Sequence, residues 1–195
     1  MEPKISAVLL AAGLSRRMGK DKLLLPYRGK TLLSHAVELM AKLPVYEKIL
    51  VTTASRLYMT DLPPGVRVVI NPHPEDGKGG TIRLGVTAAA GDWYLFLQAD
   101  QPMLGVADVG QLISAAGDNR NSIIYPEIGG KPCSPNLFPS RFREELLALT
   151  GDAGGGIVRA EHPGECIAIA PGSPENFFDV DDEEGYFRLL GMVGK

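Results

Sequence analysis

The sequence predicts an α/β domain with a largely parallel sheet, and three observations carry that prediction. Apolar runs of strand length alternate with helix-periodic segments from residue 5 to about residue 125, the first run stops at a glycine loop, and a later one stops at Asp100. Parallel neighbours need a crossover, which an intervening helix supplies. In such sheets ligands bind beyond the carboxyl ends of the strands, and both Gly13 and Asp100 follow such ends.

The elements follow in order. Ile5-Ser6-Ala7-Val8-Leu9-Leu10-Ala11 is nearly continuous in apolar residues, the pattern of a strand covered on both faces. Residues 31–40 set Leu32, Leu33, Ala36, Val37, Leu39 and Met40 at helical spacing, and Pro44 closes the segment. Residues 48–53 and 66–70 are strands. Residues 71–80 hold two prolines and three glycines and read as a loop, after which residues 81–90 resume a helix. The strand 93–97 runs into Gln98-Ala99-Asp100-Gln101-Pro102; a helix near 106–116 and a strand at 122–125 follow. From residue 126 punctuation thickens. Gly129, Gly130, Pro132, Pro135 and Pro139 surround a short apolar piece before a helix at 141–149. The glycine cluster 151–156 then leads to a short helix, a strand at 166–170 and a terminal helix from about 182 to 190. No internal repeat divides the 195 residues, so one domain over 1–195 is the expectation.

Composition narrows the function classes. A net charge of −3 without a long basic run argues against a nucleic-acid partner, which needs clustered Lys and Arg to displace counterions. No stretch approaches a membrane span, and Met1-Glu2-Pro3-Lys4 enters a strand without the apolar core of a signal peptide. Cys133 and Cys166 form no C-x-x-C pair. A cytoplasmic chain with reduced thiols is the expectation.

Positive charge concentrates at Arg16, Arg17, Lys20, Lys22, Arg28 and Lys30, beside the first glycine loop. Backbone amides freed by glycine, together with nearby cations at a strand end, are what a polyphosphate requires. The P-loop spacing fails, because five residues separate Gly13 from Gly19 and Lys20 is followed by Asp21, which would oppose phosphate charge. The dinucleotide fingerprint G-x-G-x-x-G is absent as well. On charge and glycine content alone, a polar connecting loop with solvated Arg and Lys is an equal reading.

The full pattern is more specific. Leu10-Ala11-Ala12-Gly13, then Ser15, Arg17, Met18, Gly19, Lys22 and Leu23-Leu24-Leu25-Pro26, resembles the signature of the MobA-like nucleotidyltransferases, especially their molybdenum cofactor cytidylyltransferase (MocA-like) branch. The similarity extends to Gly79 with Thr81-Ile82-Arg83-Leu84-Gly85, to Asp100-Gln101-Pro102 and to Asp179-Val180-Asp181. The resemblance implies a three-layer α/β/α Rossmann-like nucleotidyltransferase fold with a mostly parallel mixed sheet. It also implies a nucleotide-binding half to about residue 125 and an acceptor-binding half at 126–195. It places Leu10, Ala11, Ala12, Gly13 and Ser15 on base and phosphates, Arg17 on the β and γ phosphates, Lys22 on the phosphate where charge shifts, and Gly79 and Thr81 on base and ribose. Ala12 in place of glycine accompanies cytidine in this family, favouring CTP over GTP.

Bringing phosphates together calls for a divalent cation, magnesium with manganese as the alternative, and one or two carboxylates suffice to hold it. Asp100 is well placed at a strand end, where a turn-capping Asp is the other reading. The resemblance maps a second ligand onto Asp181, with Asp179 the weaker candidate. Asp181 with Glu184 also fits a helix cap. His35, His73 and His162 form no metal or triad pattern, and Cys133 reads as an unreactive thiol.

The reaction implied is transfer of CMP from CTP to the terminal phosphate of a molybdopterin-type acceptor, with release of pyrophosphate. Arg17, Lys22 and Asp100 would be catalytic, and a molybdenum hydroxylase the downstream partner. Cys133-Ser134-Pro135 replaces the family's Gly-His-Pro, and residues 153–156 replace its arginine-bearing segment. A sugar phosphate or other small phosphorylated acceptor therefore stays open, as does a non-catalytic cofactor carrier.

Overall fold

The computed structural model describes residues 3–15 and 18–192. β1 (Ile5–Ala11) leads through the glycine loop to a hairpin of β2 (Pro26–Tyr27) and β3 (Lys30–Thr31), then α1 (Leu32–Lys42), β4 (Glu47–Thr52), the one-turn α2 (Ala54–Leu57) and β5 (Val66–Ile70). α3 (Gly77–Ala88), β6 (Trp93–Gln98), α4 (Val106–Asp118), β7 (Ile123–Ile128), β8 (Lys131–Pro132) and β9 (Asn136–Pro139) follow. α5 (Arg143–Leu147), α6 (Gly155–Glu161), β10 (Cys166–Ile169) and α7 (Glu183–Gly191) complete the chain.

The main sheet runs β10-β7-β9-β6-β1-β4-β5, with β8 beside β7. β1 lies at its centre, paired in parallel with β4 and β6, which explains its unbroken apolar run. β9 is antiparallel to both β6 and β7 and makes the sheet mixed. The reversal is built by Gly129 and Gly130, both at positive φ (58° and 76°), which turn β7 into β8 and send the chain back as β9. The short apolar piece predicted before residue 140 is thus an interior strand.

Alternate residues of the central strands feed two cores. Ala7, Leu9, Leu95 and Leu97 pack with Leu33, Val37 and Met40 of α1 and Val109 and Leu112 of α4. Val8, Ile49, Val51 and Phe96 pack with Ile82 and Val86 of α3, Leu146 of α5 and Val158 of α6. Helices on both faces make the three-layer α/β/α arrangement expected from the sequence.

Two boundaries differ from expectation. α3 starts at Gly77, inside the segment expected to be loop. Its first turn approaches the loop after α5 so closely that a Cβ on Gly79 would lie 2.9 Å from Leu149 C, and Gly79 N donates to Gly151 O at 2.9 Å. Packing overrides the poor helix propensity of glycine here. At the other end the cap of α7 is Asp182, whose carboxylate accepts from Gly185 N at 2.8 Å, so Asp181 is released from the capping role.

A third core sets the C-terminal segment over the start of the chain. Val180 and Leu189 are fully buried with Tyr27, Leu32 and Tyr186, and Tyr186 Oη donates to Pro26 O at 2.6 Å. Val180 N donates to Asp100 O at 3.0 Å, which brings Asp179 and Asp181 to the end of β6.

Candidate active site

A cavity of about 350 Å³ opens beyond the carboxyl ends of β1 and β6. Leu10, Ala12, Gly13, Ser15, Lys22, Thr81, Asp100 and Asp181 all line it, so eight of the residues singled out from sequence converge on one space. A Cβ on Gly13 would meet nothing within 4 Å, leaving room for a ligand against the backbone. Ser15 holds the left-handed region at φ 50°, unusual for a non-glycine residue. Its carbonyl accepts from Met18 N at 3.0 Å and its Oγ from Lys22 N at 3.3 Å, which closes the loop onto Lys22.

Two expected residues fall elsewhere. Gly79 is a packing glycine buried under residues 149–150 and does not line the cavity. Ala11 is buried at the strand end, where its carbonyl accepts from Thr52 Oγ1 at 3.3 Å. Arg16 and Arg17, the latter expected on the β and γ phosphates, lie outside the described residues.

Sequence reading missed the group that holds the loop in shape. Arg56 of α2 is 4% exposed. Its guanidinium donates to Ala11 O and Gly13 O, each at 2.6 Å, and to both oxygens of Asp21 at 2.6 and 3.0 Å. Asp21 therefore does not oppose a phosphate: it is neutralised by Arg56 and accepts from Leu23 N at 3.1 Å, capping the short turn that carries Lys22. Five donors in a rigid plane suit Arg to tying four acceptors at once. An isolated Arg after a strand carries no periodic or motif signal.

Lys22 Nζ lies 2.7 Å from Asp100 Oδ2, 2.8 Å from Val180 O and 3.8 Å from Asp181 Oδ1. Lys22 and Asp100 are largely buried, whereas Asp181 is 63% exposed at the cavity rim. Asp100 Oδ1 is buried without a hydrogen-bond partner among the described residues. Such an orphaned oxygen, on a carboxylate that lines the cavity and shares Lys22 with Asp181, fits a hard cation that takes oxygen ligands and keeps several waters. Among the described residues no group of three or more His, Cys, Asp or Glu is arranged to hold a metal ion, so a cation here would rest on one or two carboxylates and its waters.

Asp179 is half-buried beside these groups, and its carboxyl is pushed up to about 7, first by desolvation and then by the Asp100 and Asp181 carboxylates, with Lys78 and Lys22 acting in the opposite sense. It lines a second cavity of about 390 Å³ together with Phe96, Cys133, Ser134, Asn136, Phe138, Arg159 and residues 153–157. Arg159 donates to Asn136 Oδ1 at 2.7 Å and lies over the Tyr125 ring. The divergent segment is anchored at Ser134, whose Oγ accepts from Gln98 and whose carbonyl accepts from Gln101 Nε2 at 3.0 Å. Burial and Asp179 push the Cys133 thiol up, so it stays protonated.

Residues 7–166 match the MobA-like NTP transferase domain. The chain is 31% identical to nicotine blue oxidoreductase of Paenarthrobacter nicotinovorans, an alignment covering 96% of this chain and 97% of that one. It is 29% identical to molybdenum cofactor guanylyltransferase of Xanthomonas euvesicatoria pv. vesicatoria, covering 95% and 94%. A nucleotidyl transferase structure from Methanothermobacter thermautotroptrophicus superposes with a TM-score of 0.81 at 23% identity, covering 97% and 99%. No helix among the described residues is long and apolar enough to cross a membrane.

Proposed function

The chain belongs to the MobA-like NTP transferase family, and from that premise we propose that it transfers CMP from CTP to the terminal phosphate of a molybdopterin-type acceptor, releasing pyrophosphate. The observation that carries the proposal is the Lys22–Asp100–Asp181 group, set against an open backbone loop at the end of β1. Two carboxylates that can hold a divalent cation, with an ammonium between them and amides that a ligand can approach, are suited to receiving a triphosphate together with its cation.

In this reading the Ala12–Ser15 backbone binds the nucleotide and Arg56 holds that backbone and Asp21 in register. Lys22 would meet the α-phosphate, and Arg17 the outer phosphates. Asp100 and Asp181 would hold magnesium or manganese, which supplies neutralisation of the triphosphate when bound. No protein nucleophile is required, and the protonated Cys133 does not compete for the role. Cytidine is favoured by Ala12, and a molybdopterin-type acceptor by the relative named molybdenum cofactor guanylyltransferase and by the adjoining second cavity. The product would pass to a molybdenum hydroxylase in the cytoplasm.

One assay tests the proposal. Purified protein is incubated with CTP or GTP, magnesium and phosphorylated acceptors, and pyrophosphate release is followed, with mass analysis of the product. Pyrophosphate with CTP and a nucleotidylated pterin supports the proposal. Release with GTP alone reassigns the base, and a sugar-nucleotide product reassigns the acceptor. Nucleotide binding without turnover would make the protein a carrier.

A further inference from the structure

We propose that Lys78 is a further catalytic residue, whose ammonium binds the attacking phosphate of the acceptor where the two cavities join. The proposal rests on the nucleotidyl-transfer reading above.

Leu10, Lys78, Gln98 and Asp152 line both cavities, and Lys78 is the cation of this set. The other lysine of the site, Lys22, lines the first cavity and not the second, and donates there to Asp100 and Val180 O. Lys78 Nζ instead donates to a neutral acceptor, Gln98 Oε1, at 3.0 Å, and among the described residues it has no carboxylate within ion-pair distance. A lysine ammonium offers three donors. With one used on Gln98, the remainder stand at the boundary that an attacking phosphate must cross.

Its position is defined. Lys78 lies in the first turn of α3, which the contact of Gly79 N with Gly151 O pins in place. A Cβ on Gly154 would lie 3.3 Å from Lys78 Cδ and 3.4 Å from Cε, so the stem runs along a strip that glycine keeps clear. Gln98 continues to Ser134 of the divergent segment, and Asp179 feels the Lys78 charge from the acceptor side. The ammonium thus faces the space between a bound nucleotide and the second cavity.

The step needs nothing more than two phosphates. An oxygen of the acceptor phosphate forms a bond to the α-phosphorus, the bond from that phosphorus to the bridging oxygen breaks, and the electron pair leaves on pyrophosphate. Two anions must approach for this to occur. Lys78 on the acceptor phosphate and Lys22 on the donor would offset their repulsion from opposite sides.

The test uses wild type, K78M and K78R, with inorganic phosphate as the probe of the acceptor headgroup. Affinity for magnesium CTP and magnesium GTP is measured calorimetrically. Phosphate is then titrated with and without a non-hydrolysable CTP analogue, while the backbone amide signals of Gly154 and Gly155 are followed by NMR. The expectation is that phosphate shifts these signals in wild type, binds about tenfold or more weakly to K78M, and is largely restored by K78R, while nucleotide affinity stays within about twofold. Equal phosphate affinity in K78M overturns the proposal, as does a loss of nucleotide affinity that matches the loss for phosphate. If wild type binds no nucleotide, the nucleotidyl-transfer reading fails by itself. The phosphate titration of nucleotide-free protein then still decides Lys78: a Lys78-dependent shift supports an anion site, and an independent one removes it.

Discussion

The two cavities meet at Lys78 and Gln98 yet are made from different kinds of chain. The first is framed by the loop after a buried strand, with the start of α3, the end of β6 and Asp181 closing around it; its chemistry is concentrated in Lys22, Asp100 and Asp181. The second is assembled from short pieces at 132–138 and 152–159, joined by side-chain bonds such as Arg159 to Asn136 and Gln98 to Ser134. The first tolerates little change because one buried ion pair and one buried guanidinium set its shape. The second depends on many small contacts, a construction that can change acceptor without disturbing the nucleotide grip.

The largest effect expected is at Asp100. Asp100→Asn removes the partner of Lys22 and an oxygen facing the proposed cation, and should lower turnover about 100- to 1000-fold in the pyrophosphate assay. The variant also leaves the Lys22 ammonium on Val180 O and Asp181 alone, so about 1–3 kcal/mol of stability should be lost by denaturant titration, and turnover is compared on folded protein. Full activity in that variant would sink the assignment of Asp100.

Arg56→Met should separate the cavities. It leaves Ala11 O and Gly13 O without their charged donor and Asp21 unpaired. Asp21 is partly solvated, so the cost is about 2–3 kcal/mol of stability by denaturant titration, less than for a fully buried pair. KM for the nucleotide should rise about tenfold, through loss of the bonds that a charged donor makes, with KM for the acceptor unchanged. An acceptor KM that rises in step would show that the two cavities are not independent.

The opposite separation comes from Gly155. A Cβ there would lie 2.8 Å from Phe138 Cε2 in the wall of the second cavity, whereas one on Gly156 would meet Arg159 Nη2 at 3.5 Å. Gly155→Ala should therefore cost about 1–3 kcal/mol and raise acceptor KM, with Gly156→Ala near neutral as its control. Equal behaviour of the two alanines would break the account of that wall.

The smallest effect is electrostatic. His162 bonds Glu145 at 2.7 Å and Glu165 at 3.0 Å, and these carboxylates raise its pKa above the ordinary 6.5. A group whose folded pKa is raised contributes fully below its unfolded pKa and loses the contribution as pH rises through the folded value. The melting-temperature gap between wild type and His162→Gln should be widest below about pH 6.5 and close in mildly alkaline buffer. A gap independent of pH would remove the charge from this contact.

How much was legible divides along the same line. β1, α1, β5 and β6 announce themselves because unbroken apolar runs and helical spacing are local properties, and the loop motif marks Lys22 because its residues are consecutive. β9 was only a short apolar piece between prolines, since its role as the reversed interior strand depends on β6 and β7. The first turn of α3 was hidden because Gly77, Gly79 and Gly80 read as loop residues until the chain against which they pack is in place. Arg56 and Lys78 sit outside any motif, and their partners at Asp21, Gly13 and Gln98 are distant in sequence. Asp182 rather than Asp181 caps α7, a choice between adjacent acids that only backbone direction could make.

By itself the sequence determined the alternation of strands and helices, the glycine loop with its cations and the carboxylate that ends β6, because each is written in neighbouring residues. Only the tertiary structure decided that Val180 would carry Asp181 to Asp100, that Arg56 would neutralise Asp21, and that Lys78 would stand on neutral Gln98 between two cavities. Those outcomes depend on which buried surfaces meet, and burial is a property of the whole fold.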